Sequence, residues 1–458
     1  MLRMKERDYL IKPVLGQQYP IAASAKGIYI YDQDGKKYID GSSGAVTVSI
    51  GHGVQEVINE TLAQAEKISF SYRSQFTNEP AEKLAEKLSQ LAPGDLNWSF
   101  FVNSGSEATE TAMKIAIQYW QEKGQPQKDR IISRWTSYHG ITMGALSMSG
   151  HALRRQRFSS MLADYPSVSA PYTYRRPDNL TEEEWGLLCA QELETEIRRI
   201  GEERVAAFIA EPIIGASGGA ITPPANYYQK IKEICERCNV LFIADEVMTG
   251  IGRTGRMFAI EHWNVTPDII TLGKGMSSGY TPMAATLVSD KVMEPILNGS
   301  KSIMGGHTYS ANPQSAAVAL KVIKYVEKHQ LVEKAEEQGI YLKSKLKALL
   351  ESYEMIGDVR GKGLLIGMEF VADREKKNPY PPELNVTNRV IKQAFEKGLL
   401  VYPASGAING MGDAIIISPP LVITKDEIDS LVDILEEAIS EVQCELSMEG
   451  KINATIQV

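Results

Sequence analysis

The sequence predicts an α/β fold in which a large lobe, built on a mostly parallel sheet, joins a smaller α+β lobe contributed by both ends of the chain. Three observations predict it. The chain has 458 residues, and single hydrophobic cores stop growing near ~250–300 residues. Within 61–330, short β-branched apolar runs alternate with segments whose apolar residues recur at three and four, the signature of βα units around a parallel sheet. Beyond 331 that alternation gives way to longer helical patterns with a few strands between them.

Residues 1–60 have no place in the βα series, and they are expected to pack with the smaller lobe. Asp34-Gly35 marks a hairpin within them. The expected strands of the large lobe are 99–102, 130–133, 206–210, 240–244, 269–272 and 284–288, with helices including 107–122 and 226–237 between them. The second lobe, 331–458, reads as a helix (331–353), a strand (363–371), a helix (387–397), strands near 399–402 and 414–418, and a last helix (425–442). Asp426 and Glu427 fall in that helix's first turn, where the dipole favours them. The Pro/Gly-rich stretch 374–384 reads as a surface loop.

Composition excludes several classes of partner. Apolar residues at 43% and charged residues at 23% are ordinary for a globular protein. A net charge of -8 argues against nucleic-acid or anionic-membrane surfaces, which favour excess Lys and Arg, while leaving room for local anion sites. No stretch approaches the roughly 18 apolar residues a membrane span needs, and the charged start of the chain shows no secretory signal; a cytoplasmic protein is expected. The four cysteines are too few for a disulfide scaffold. Cys235 and Cys238 form a CxxC, but no second pair or His cluster accompanies them, so a structural role is expected and no metal site.

Three strand ends carry polar groups where open α/β sheets bind ligands. Val102-Asn103-Ser104-Gly105-Ser106-Glu107-Ala108 runs from a strand through a turn of small residues into a helix. Free N–H groups there, with the Ser106 hydroxyl, form a phosphate cradle; Ser-Gly-Ser before a helix is by itself more often a simple cap. The run from Val240 to Val247 delivers Asp245 at the end of a buried strand. A buried acid is costly without a cationic partner. A protonated pyridine nitrogen is such a partner, and a cap for the next loop is the plain alternative. The run from Asp268 to Gly275 ends in Lys274, between two glycines that let a ligand approach closely. Most lysines are solvated, but a desolvated one titrates below its usual ~10.4 and offers a free amine for a Schiff base. Asp245 and Lys274 on successive strands carry more weight together than either does alone.

Gly250-Ile251-Gly252-Arg253-Thr254-Gly255 matches the GxGxxG dinucleotide fingerprint. Its glycines begin too far beyond Asp245 to form the tight turn, and no helix pattern opens at Gly255. The acid expected about 20 residues further on would fall near Asp268, at a strand's start when it belongs at its end. A dehydrogenase is therefore set aside.

Together these residues resemble the class III (ω-amino acid:pyruvate-like) aminotransferases of pyridoxal-phosphate fold type I, over nearly the whole chain. The resemblance rests on Ser104-Gly105-Ser106-Glu107-Ala108, Tyr138-His139-Gly140, Glu211-Pro212, Asp245 through Gly255, Gly273-Lys274-Gly275 and Gly306-His307-Thr308-Tyr309. Each motif is common, but their order is specific. It implies pyridoxal 5'-phosphate as cofactor. Gly105 and Ser106 would hold the phosphate, Tyr138 and Val247 would cover the two ring faces, and Asp245 would pair with the ring nitrogen. Lys274 would be the Schiff-base lysine and proton shuttle. Thr308 would reach the phosphate of a neighbouring subunit, implying a homodimer with shared active sites and leaving a tetramer open. Arg253 would brace its loop. The implied reaction moves an amino group from a primary amine or ω-/β-amino acid to a keto acid such as pyruvate, by a ping-pong mechanism.

The departures from the family bear on substrate. Ornithine- and GABA-type members carry Glu at the position of Ala216 and Gln at that of Met248. Biotin-pathway members have a Trp pair near Ala45-Val46 and an Arg where this chain has Tyr402, and many ω-transaminases use that Arg to grip a substrate carboxylate. Here Tyr402 or Arg73 would replace it, or the donor would lack an α-carboxylate. Val46, Tyr72, Tyr138 and Ala216 would wall a pocket for a fairly large, apolar-bodied amine. A decarboxylase or aminomutase of the same fold, or a catalytically inactive cofactor-binding regulator, are the competing readings.

Overall fold

A computed structural model describes residues 9–408 and 411–450. Residues 1–7, on which the reading of a missing secretory signal rests, lie outside them. Strands β1 (Ala22–Lys26), β2 (Tyr29–Asp32) and β3 (Lys37–Asp40) form an antiparallel ladder. Gly35, at φ +81°, closes the β2–β3 turn in a conformation that suits glycine. The Asp32 carboxylate accepts from the Asp34 and Lys36 N–H groups and fixes that turn.

The next seven strands are β4 (Trp98–Val102), β5 (Arg130–Arg134), β6 (Ser167–Val168), β7 (Val205–Ala210), β8 (Leu241–Asp245), β9 (Ile269–Leu272) and β10 (Ala284–Val288). They form one sheet in the order β4-β10-β9-β8-β7-β5-β6. Strands β5 to β9 pair in parallel, and β10 runs antiparallel to both its neighbours. Every residue of β7 and β8 is buried, which is why these strands read as unbroken apolar runs and show no alternation. Ile209, Ile243 and Ile269 pack with Ala112, Ile115 and Ala116 of the helix Gly105–Glu122 on one face. Phe208, Phe242 and Ile270 pack with Tyr228 and Ile231 of the helix Tyr227–Arg237 on the other. Cys235 and Cys238 lie in that second layer, where burial pushes both thiols up and leaves them un-ionised.

The remaining strands are β11 (Ile356–Lys362), β12 (Leu365–Phe370), β13 (Leu399–Leu400), β14 (Tyr402–Ile408) and β15 (Met411–Ile417). Four of them form an antiparallel sheet, β11-β12-β15-β14, while β13 pairs in parallel with β3. Both ends of the chain thus share a sheet. The strand expected over 399–402 is in fact two, because the chain leaves one sheet for the other at Val401. Strand β11 is unforeseen because Gly357, Asp358, Arg360 and Gly361 interrupt its apolar pattern, and its ladder with β12 holds it extended. The last helix runs from Lys425 to Met448, past its expected end, with a capping box between Thr424 and Glu427. Among the described residues no helix is long and apolar enough to cross a membrane.

The GxGxxG segment is a loop whose Arg253 is 1% exposed. One of its nitrogens donates to the Leu364 and Pro419 carbonyls at 3.2 and 2.6 Å, and another to the Ser43 hydroxyl at 3.2 Å. Burial pushes this guanidinium down to about 9 against the opposing pull of Asp40. The loop after β8 is thereby tied to both ends of the chain. Replacing Arg253 by Met strands those acceptors and is expected to cost about 3 kcal/mol, read as a lower midpoint of thermal unfolding; an unchanged midpoint would contradict this bracing role.

Candidate active site

The carboxyl ends of β4, β5, β7, β8 and β9 converge on one cavity of about 190 Å³. Gly105, Ser106, Tyr138, Ala216, Asp245, Val247 and Lys274 all line it, with His139, Gly140, Glu211 and Met248.

Asp245 is 3% exposed. Its Oδ1 accepts from the Thr271 hydroxyl at 2.9 Å and the Val247 N–H at 3.1 Å, and its Oδ2 faces the His139 Nδ1 at 2.7 Å. His139 is held in turn, its N–H donating to the Ser149 hydroxyl and its carbonyl accepting from Thr109. Among the described residues the His139 Nε2 has no partner, while its Nδ1–H donates to the Asp245 carboxylate.

Lys274 follows β9, which pairs directly with β8. Its backbone sits at φ +42°, in the left-handed region, at a cost of about 1–2 kcal/mol for a residue with a Cβ. Strain of this kind clusters where a side chain must be aimed. Among the described residues its amine makes no hydrogen bond or ion pair. Burial pushes it down to about 8, against the opposing pull of Glu211 and Asp245. A partly neutral, unbonded amine is a nucleophile and proton carrier near pH 7.

The Ser104 hydroxyl accepts from the Glu107 N–H at 3.2 Å and caps the helix Gly105–Glu122. The cap and the anion cradle are therefore not alternatives, since Ser104 does the first and leaves the N–H groups of Gly105 and Ser106 facing the cavity end of the helix. Gly105 packs so closely on Val247 that a Cβ would stand 2.7 Å from its Cγ1. Gly140, at φ +133°, would bring a Cβ to 2.5 Å from the Ser106 Oγ. A Cβ on Gly275 would meet the Ser49 Oγ at 2.7 Å and one on Gly273 would stand 3.2 Å from the Val247 Cγ1, so both glycines admit close protein neighbours.

The other expected site residues lie elsewhere. Val46 is buried in the main core, Tyr72 is 46% exposed, and Tyr402 packs partly buried on the core within β14. Thr308 is exposed. The Arg73 guanidinium donates to the Gly305 carbonyl and covers the Phe100 ring at 5.0 Å. Two residues with no role assigned from sequence are central here. His139 is one. Glu211 is the other, accepting from the Tyr138 N–H at 3.0 Å and the Gly215 N–H at 2.9 Å, with its carboxyl raised by burial. Both sit in motifs visible in the chain, but only the fold shows what they hold.

A helix N-terminus, a fixed carboxylate and an unbonded amine in one cavity define a site that fits a phosphate-bearing pyridine aldehyde. Such a cofactor would find there an anion cradle, a counter-charge for its ring nitrogen and an amine to bond. The comparisons agree with that class. The sequence model of the class III aminotransferase family matches residues 15–439, and the chain belongs to this family. It is 56% identical to the uncharacterised aminotransferase YodT of Bacillus subtilis over 95% of this chain and 98% of that protein. It is 35% identical to the putrescine–pyruvate aminotransferase of Pseudomonas aeruginosa over 92% of this chain and 90% of that one. A thermostable (S)-enantioselective ω-transaminase from Thermomicrobium roseum superposes with a TM-score of 0.88 at 37% identity, covering 93% of each chain. The protein is a pyridoxal-phosphate-dependent aminotransferase of fold type I.

The depressed lysine gives a direct test. In the cofactor-free protein, the rate of pyridoxal-phosphate uptake is expected to rise with pH as Lys274 loses its proton, with a midpoint near 8. A midpoint near the ~10.4 of a solvated lysine would mean that the amine is not desolvated.

Proposed function

We propose that the protein moves the amino group of a primary amine, or of an ω- or β-amino acid, to a keto acid such as pyruvate, in two half-reactions at one site. The observation that carries this reading is the unbonded amine of Lys274 sharing a cavity with the fixed carboxylate of Asp245. When bound, pyridoxal phosphate supplies an aldehyde that accepts the amino group and a ring that holds the electron pair left when the donor carbon loses its proton.

The protein's own groups do the rest. The N–H groups of Gly105 and Ser106 hold the phosphate. Tyr138 and Val247 cover the ring faces, and Glu211 fixes Tyr138 through its backbone. Asp245, held by His139, Thr271 and Val247, keeps the ring nitrogen protonated. Lys274, displaced by the donor, would take the proton from the donor carbon at Nζ and then donate it to the carbon that held the cofactor's aldehyde. Tyr402 stands where many relatives carry a carboxylate-gripping Arg. Ala216 and Met248 give the cavity apolar surface, which suits an apolar-bodied donor better than ornithine or GABA. Val46, Tyr72 and Tyr402 belong to this proposal as the outer wall of the donor pocket.

A second copy of the chain completes the unit. Thr308 lies between Met304 and Tyr309, which are 80% and 61% exposed, and the Tyr309 ring packs edge-on against the half-exposed Phe70. An exposed apolar surface of this kind marks an interface, and Thr308 then serves the phosphate of the neighbouring site.

With donor alone, the holoenzyme is expected to release no more than one equivalent of carbonyl product per site, and added pyruvate is expected to restore continuous turnover. Continuous carbon dioxide release, or product formation without any keto acid, would contradict the reading. In a donor panel, simple amines and longer amino acids are expected to exceed ornithine and GABA in kcat/KM; the reverse ranking would defeat the assignment of donor class.

A further inference from the structure

The arginines around the cavity are almost all committed. Arg134 donates to the Tyr228 hydroxyl and the Glu211 carbonyl. Arg155 donates to the carbonyls of Leu146, Ser147 and Ser149. Arg253 binds Leu364, Pro419 and Ser43, and Arg73 binds Gly305. Arg154 differs. Among the described residues it makes no hydrogen bond or ion pair, and its guanidinium stands 4.2 Å from the centre of the Tyr138 ring.

That placement leaves its donors free. A guanidinium stacked on an aromatic face keeps its N–H groups in its own plane, available for a bidentate carboxylate. Arg154 is partly buried on the short helix Ala152–Gln156, and the three carbonyl bonds of its neighbour Arg155 clamp that helix to the segment behind Tyr138. Its charge is felt at the Lys274 amine and at His151, which it helps to keep neutral. Arg154 stacks on Tyr138, and Tyr138 lines the same cavity as the Lys274 amine. A half-buried cation with no counter-charge among the described residues is the group that an anionic substrate would complete.

We propose that Arg154, stacked on Tyr138, grips the remote carboxylate of the amino donor, so that the preferred donors are amino acids whose amine and carboxylate are separated by more carbons than in GABA. This rests on the transaminase reading and names its substrate class. Arg154 takes over the task that Tyr402 cannot perform, from a different wall of the site.

The test compares 6-aminohexanoate with hexylamine, each with pyruvate, in the wild type and in Arg154→Ala, Arg154→Gln and Arg154→Lys. In the Ala and Gln variants the ratio of kcat/KM for the two donors is expected to shift against 6-aminohexanoate by about 10- to 100-fold, the worth of a charge-assisted pair. The loss should lie in KM, and Arg154→Lys should recover part of it. An unchanged ratio would overturn the proposal and leave Arg154 as a brace for Tyr138. So would a wild type that prefers hexylamine. Calorimetry with inert hexanoate gives a readout independent of turnover: the wild type is expected to bind it, and Arg154→Ala to bind it at least 10-fold more weakly. Hexanoate binding lost in the variant while no donor reacts with any keto acid would sink the transaminase reading alone. Equal hexanoate binding in both proteins would sink the role of Arg154 alone.

Discussion

Asp245 is a carboxylate that the fold buries at the end of a central strand, and most of the site exists to make that burial tolerable. Stripping a carboxylate of water costs several kcal/mol unless other groups replace the lost hydration. Here Thr271, the Val247 N–H and His139 do so. The same burial acts with the opposite sign on Lys274, at the end of the neighbouring strand, and drives it toward its neutral form. Two groups of opposite charge type, at the ends of adjacent parallel strands, thus share one cavity. A readily deprotonated amine in the same cavity as a fixed carboxylate is what a proton shuttle requires.

The scaffolding around this pair is built from close contacts rather than from many polar bonds. Val247 is wedged against Gly105 and Gly273, so the loop after β8, the helix start after β4 and the turn after β9 fix one another. Arg253 ties that first loop to Ser43, Leu364 and Pro419, so a displacement in the C-terminal part of the chain reaches the residues that hold the ring. Arg134 and Tyr228 both grip the Glu211 carbonyl, and the Glu211 side chain grips the Tyr138 backbone. Each ring-facing side chain thus has its position set from behind.

The core of the large lobe was legible in the sequence because its strands are buried on both faces. Unbroken runs such as Leu241-Phe242-Ile243-Ala244 cannot sit elsewhere, and this one ends in Asp245. The two charged groups could be read for the same reason. Contacts that depend on the order of strands were not legible. His139 and Asp245 lie far apart in the chain and meet because β7 separates β5 from β8 in the sheet. Strand β11 hides behind glycines and charges, and the break at Val401 follows from which sheet each half joins. The pocket wall was the least legible part. The Arg154 guanidinium, unpaired among the described residues, was indistinguishable in the sequence from its neighbour Arg155.

The measurement that bears most directly on this arrangement is borohydride reduction of the purified yellow protein followed by peptide mapping. The cofactor is expected on the peptide containing Lys274, with Lys274→Ala giving a colourless chain that takes up no label. A label on any other side chain, or a wild-type protein unable to acquire colour from pyridoxal phosphate, would contradict the pairing of Lys274 with Asp245 on which the account is built.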